Sequence, residues 1–172
     1  MTNSCMKFWF VFTSGCLVSA TAWCNCTSAL SAGTCSANVS ATPLTFGNYN
    51  PSSGAAKTVT STVTVSATLT GVSLLTTISY SISLGGGVTG VIANRRMTGG
   101  TGGLSLGYNL YTTGNYDAVW GINGVTDSMA AIATVLGTHL SRTYTVYGRV
   151  PTGQYVSPGS NYSDTIVVTV IY

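Results

Sequence analysis

The sequence predicts an all-β chain folded as a two-sheet sandwich, and three observations carry that reading. Apolar and polar residues alternate with period two in five separate segments. Clusters of Gly, Pro, Asn and Ser stand between those segments. The helical signal is confined to one alanine-containing stretch, residues 128–137, which fits a strand or a single turn equally well. Half-buried antiparallel strands have this signature, and six to eight short ones with close turns make a sandwich.

The segments follow in chain order. Residues 57–69 place Val59, Ser61, Val63, Val65, Ala67 and Leu69 on one face, with Thr58, Thr60, Thr62 and Thr64 opposite. Residues 76–84 set Ile78, Tyr80, Ile82 and Leu84 against Thr77, Ser79, Ser81 and Ser83. Residues 104–111 align Leu104, Leu106, Tyr108 and Leu110. Residues 142–150 and 163–172 continue the pattern, the last being a strand-like run that closes the sequence given. Turn signals fall at residues 48–54, 85–87, 99–103, 121–124 and 151–161. No internal repeat is visible, and 172 residues suit one domain.

The N-terminus has the form of a secretory signal. Lys7 ends a short basic region, residues 8–20 are largely apolar, and Ala20-Thr21-Ala22 fits the small-x-small cleavage pattern. The apolar run is too short for a membrane span. Residues 1–22 are therefore expected to be removed, leaving no stable membrane insertion and a mature chain from Trp23; a lipoprotein signal ending at Cys16 is the competing reading. Three cysteines would remain, Cys24, Cys26 and Cys35. In an oxidising compartment Cys35 is expected to pair with Cys24 or with Cys26. Cys-x-Cys without a nearby histidine or a second cysteine pair is a poor zinc site, and no metal or other cofactor is expected.

Charge is scarce. After cleavage Lys57, Arg95, Arg96, Arg142 and Arg149 would face Asp117, Asp127 and Asp164, a net of +2. That is no nucleic-acid footprint, and the pair Arg95-Arg96 reads as a solvated turn. So few charges suit a surface largely spent on neighbours, or a protease-resistant extracellular module. Glutamate is absent, His139 is the one histidine, and no serine stands in a nucleophile elbow. The glycine clusters lack a phosphate loop's lysine. An enzyme is not expected.

Several blocks, taken in order, resemble the spore coat protein U domain family. They are TCSANVSATPLTFGNYNP at residues 34–51, RRM at 95–97, LGYNLY at 106–111, VWG at 119–121, YGRVPTGQ at 147–154 and GSNYSDTIVVTVIY at 159–172. The resemblance runs from about Cys35 to Tyr172 and makes 35–172 the domain, with 23–34 an N-terminal extension. That family includes secreted subunits of archaic chaperone–usher pili. The resemblance implies an immunoglobulin-like Greek-key sandwich that lacks its last strand and is completed by a strand donated from a partner. Family members commonly carry a cysteine after the strand motif TVTV, whereas Ser66 and Ala67 stand there in this chain.

By the resemblance, the final strand is the edge that a periplasmic chaperone and then a neighbouring subunit complete. Its residues are Ile166, Val168, Val170 and Tyr172, or the alternate set Val167, Thr169 and Ile171. Cys24, Cys26, Leu30 and Ala32 are the donor-strand candidates of the extension. The implied partners are copies of the chain or related pilin subunits, the chaperone and an outer-membrane usher, on a route through the periplasm to the surface of a Gram-negative bacterium. The implied role is a structural fibre subunit supporting adhesion or biofilm. Two other readings are a tip adhesin or lectin-like module, with Tyr116 and Trp120 as surface-binding aromatics, and a spore coat or stand-alone secreted sandwich.

Overall fold

The structure, a computed structural model, describes residues 20–24, 34–71, 75–99, 104–122, 124–132, 134–157 and 162–171. The strands among them are β1 (Ala20–Cys24), β2 (Thr34–Ala41), β3 (Lys57–Thr70), β4 (Leu75–Leu84), β5 (Arg95–Thr98), β6 (Ser105–Tyr111), β7 (Val125–Ile132), β8 (Thr138–Val150) and β9 (Val168–Ile171). They form two antiparallel sheets, one ordered β1-β2-β3-β8-β6-β5 and the other β7-β4-β9. Two short 3-10 turns, Gly87–Thr89 and Ile92–Asn94, connect β4 to β5.

Alternation explains the layers. β3 buries Ser61, Val63, Val65, Ala67 and Leu69 against the second sheet, where β4 buries Ile78, Tyr80, Ile82 and Leu84. Each of the valine, leucine and isoleucine side chains among them contributes about 1.5–3 kcal/mol on leaving water. The polar face of β3 points outward, where Thr64 bonds Thr143 at 2.9 Å and Thr68 bonds His139 Nδ1 at 2.9 Å. The β3–β8 ladder, from Lys57↔Val150 to Leu69↔Thr138, is the long spine of the larger sheet.

Segment 42–56 tucks its apolar residues under this spine. A Cβ on Gly148 would lie 2.8 Å from Leu44 Cδ1 and 3.0 Å from Phe46 Cζ, so glycine lets both side chains close onto the strand without shifting. Phe46 then meets Tyr108 edge to face, with ring centres 5.9 Å apart. On the β7 side the sheets are bridged by hydroxyls and a carboxylate. The Tyr80 and Tyr144 hydroxyls bond each other, and Tyr144 donates to Asp127 Oδ2 at 2.7 Å. Arg142 pairs with the same oxygen at 2.7 Å.

Several expectations need revision. β8 starts at Thr138 rather than residue 142. Residues 128–137 resolve into the end of β7 and a turn closed by Gly137 N–H on Thr134 O at 3.0 Å. The last strand is shorter than the alternating run: only Val168–Ile171 ladders with β4. Residues 163–167 instead cross from β5 to β4, because Ser163 exchanges backbone bonds with Thr98 and Gly85 N–H donates to Val167 O. β2 and β5 had no clear alternating signature, β2 because its buried positions Ala37, Val39 and Ala41 are mostly small.

Candidate functional site

The side of β9 away from β4 has no strand partner among the described residues. β9 therefore presents an open row of backbone groups, the feature that invites another strand. Pairing with β4 through Leu84↔Val168 and Ser81↔Ile171 decides which alternate set faces inward. Ile166, Val168 and Val170 are fully buried, whereas Val167 and Thr169 are half-buried on the outer face and Ile171 is 41 % exposed. Tyr172 lies outside the described residues.

Beside this edge a cavity of about 70 Å³ enters the core. Its wall is largely apolar: Ala41, Leu44, Phe46, Val63, Ile166 and Val168 take part, with Tyr108 and Asp164 as the main polar members. A space of this size accepts a small apolar side chain rather than a substrate.

The approach to β9 is held by two buried charges. Asp164 accepts from Val88 N–H at 2.8 Å, Tyr108 OH at 2.8 Å and Thr165 N–H at 2.7 Å. Burial, reinforced by that carboxylate, pushes the Tyr108 hydroxyl far above its usual pKa, so it stays a donor. Arg95 is 0 % exposed. Its Nε donates to Gly85 O at 2.8 Å and one terminal nitrogen to Asn109 Oδ1 at 2.6 Å. The other terminal nitrogen donates to Leu84 O at 2.8 Å and Trp120 O at 2.7 Å. Desolvation lowers its pKa to about 10, and the guanidinium remains charged at neutral pH. The expectation of a solvated Arg95-Arg96 turn fails, because both residues lie in β5 and only Arg96 is exposed. Alternation in β5 sends Arg95 and Met97 inward and Arg96 and Thr98 outward. Four residues establish no period, so the sequence carried no signal for this burial.

The other expected residues fall in separate places. Trp120 is not a surface aromatic: it is 0 % exposed, and its Nε1–H donates to Ile82 O at 3.1 Å. Tyr116 is half-buried with a φ of 59°. Its ring meets Tyr111 and Tyr147 edge to face, and the Arg149 guanidinium lies 5.4 Å from its centre. Among the donor candidates and cysteines, the β1–β2 ladder sets Cys24 opposite Cys35. Cys26, Leu30 and Ala32 lie outside the described residues. The expected cleavage point after Ala22 falls within β1.

Among the described residues no three His, Cys, Asp or Glu side chains gather as metal ligands, and no helix is long and apolar enough to cross a membrane. The convergent features are thus an open strand edge and an apolar cavity on an all-β, two-sheet sandwich. A family model of the Spore Coat Protein U domain matches residues 12–169, and the chain belongs to that family. The match begins upstream of the boundary expected at Cys35. The family is a pilin-type structural domain, consistent with pilus or fimbrial subunits and pointing to surface fibres. No curated protein matches the chain significantly.

Proposed function

We propose that this protein is the structural subunit of a secreted surface fibre of the archaic chaperone–usher type, completed by a strand donated from a neighbour. One observation carries the reading: among the described residues β9 offers an unpaired edge directly beside an apolar cavity walled by Ile166 and Val168. The missing last strand of an immunoglobulin-like sandwich would lie there. Backbone bonds along β9 would supply affinity, and one apolar side chain of the donor would enter the cavity. A periplasmic chaperone would hold the edge first, an outer-membrane usher would exchange it for the next subunit, and the fibre would support adhesion or biofilm.

The donor is the extension after the signal, residues 23–34. Its first two residues lie on the edge of β2 in their own chain, where Trp23 pairs Ser36 and Cys24 pairs Cys35. Opposed Cα atoms of an antiparallel pair stand within disulfide reach. A bridge from Cys35 to Cys24 would, however, close residues 25–34 into a loop, so that bridge and strand donation exclude each other. The donating chain keeps Cys24 and Cys35 apart. Two residues of self-pairing are a weak competitor for a full donated strand.

The test compares the secreted chain with and without residues 23–34, by electrophoresis without boiling and by negative-stain microscopy. Full-length chains should form detergent-resistant ladders and thin fibres, and truncated chains should not. If both are stable monomers, the extension is no donor, and a tip or stand-alone sandwich replaces this reading.

A further inference from the structure

The small sheet ends in two apolar patches, at opposite ends, that its own fold does not explain. At one end Leu75 and Ile132 are cross-strand partners on the outer face, both exposed. Elsewhere that face is made of pairs such as Thr77 with Ala130 and Ser79 with Ser128. The adjacent turn adds Val135 and Leu136, the latter 93 % exposed. At the other end, beyond Leu84, stand exposed Val88, Val91 and Ile122, the last 77 % exposed. This second end is stiff. Arg95 ties Leu84, Gly85 and Trp120 together, and Asp164 holds Val88 N–H. A Cβ on Gly121 would lie 2.9 Å from Ile92, so the two loops are in close contact. Buried charges thus brace an end whose loops show three apolar side chains to water, Val88, Val91 and Ile122.

We infer that the two ends are the two halves of one head-to-tail contact, in which the Leu75/Ile132/Leu136 end of one copy rests on the Val88/Val91/Ile122 end of the next. This rests on the strand-donation reading above. Chain direction supports it. β9 runs from Val168, beside Leu84, to Ile171, beside Ser81. A donor paired antiparallel, the more stable arrangement, runs the opposite way and leaves at the Val88 end. Its chain then enters its own β2 at Thr34, which pairs with Thr70 at the Leu75 end. Only two positions separate Ala32 from Thr34, a span of about 7 Å. The donating body is therefore drawn onto the acceptor with those two ends facing. A contact of a few side chains suffices there, because the tether holds the ends at an effective concentration on the order of millimolar. A heterologous contact of this kind propagates as a filament rather than closing on itself.

The experiment uses the full-length secreted chain as wild type, Leu136→Glu, Ile122→Glu and the double variant Leu136→Glu/Ile122→Lys, all at exposed positions. Ladders on unboiled gels read strand donation, and electron micrographs read the end contact. The expected result is ladders from all four, with regular straight fibres lost in both single variants and regained in the double. Straight fibres of wild-type repeat from both single variants would overturn the inference while leaving strand donation standing. The same holds if those fibres persist but lose adhesion to plastic, since the patches would then face a surface. If the wild type gives no ladders, donation fails, and sedimentation reads the contact instead. Association at least tenfold weaker in the single variants and restored in the double supports it; a wild type that stays monomeric when concentrated rejects it.

Discussion

Replacing Arg95 by Met keeps much of the side chain's volume and removes all its donors. Leu84 O, Gly85 O and Trp120 O lose their guanidinium partners, whereas Asn109 Oδ1 still receives Leu110 N–H at 2.9 Å. Each buried carbonyl left unpaired costs about 1–3 kcal/mol. The substitution also removes the desolvation penalty of the cation, several kcal/mol that the wild-type fold bears. The balance lies near the low end of the roughly 3–5 kcal/mol typical of breaking a buried charged network. With a urea dependence of about 1–3 kcal/mol per molar, the unfolding midpoint of the dilute protein should fall by about 1–3 M at unchanged slope. Arg95→Lys, with one charged nitrogen to serve three carbonyls, should lose about half as much. A Met variant within about 0.5 kcal/mol of wild type would refute the reasoning and reduce Arg95 to a well-packed stem.

Four further outcomes are expected. Gly87→Ala places a Cβ 1.9 Å from Asp164 Oδ2 at a φ of +66°, and should cost roughly 2–4 kcal/mol in thermal or urea unfolding. Gly90→Ala, at a φ of +68° in open space, should cost only about 1–2 kcal/mol. The Tyr144 hydroxyl and then Arg142 hold Asp127 at about 2, below its unfolded value. Its contribution is thus complete above about pH 4 and disappears as pH falls through about 2. For a partly exposed group it amounts to about 1 kcal/mol or less, and Asp127→Asn should flatten the acid limb of the melting-temperature profile. Finally, alkylation and mass mapping of unreduced fibres should find Cys24 and Cys35 unbridged. A bridge from Cys35 to Cys24 or Cys26 in the fibres would rule out residues 23–34 as the donated strand.

The all-β class was legible because alternation is a local property. A threonine-rich strand such as β3 displays its buried and exposed faces in every pair of neighbours, and the structure buries the predicted set from Ser61 to Leu69. β2 was hidden because Ala37 and Ala41 carry little hydrophobic contrast against serine and asparagine. β5 was hidden because a four-residue strand is too short to establish a period, and two adjacent arginines suggested water. Family membership was legible too, since it rests on the order of short blocks along the chain.

What no local pattern contains is which strand ends beside which. The sequence by itself determined that residues 163–172 read as a strand, yet both alternate sets carried apolar residues, Val167 and Ile171 as well as Ile166, Val168 and Val170. Only pairing with β4 turned Ile166, Val168 and Val170 inward and left the opposite edge of β9 without a strand among the described residues. Trp120 and Arg95 show the same division. Each lies near a turn in sequence, and each is buried because Ile82, Leu84 and Gly85, 10 to 38 residues away, supply acceptors for its N–H groups. Burial of a polar group is decided by the partners that fold around it, and those partners exist only once the two sheets have met.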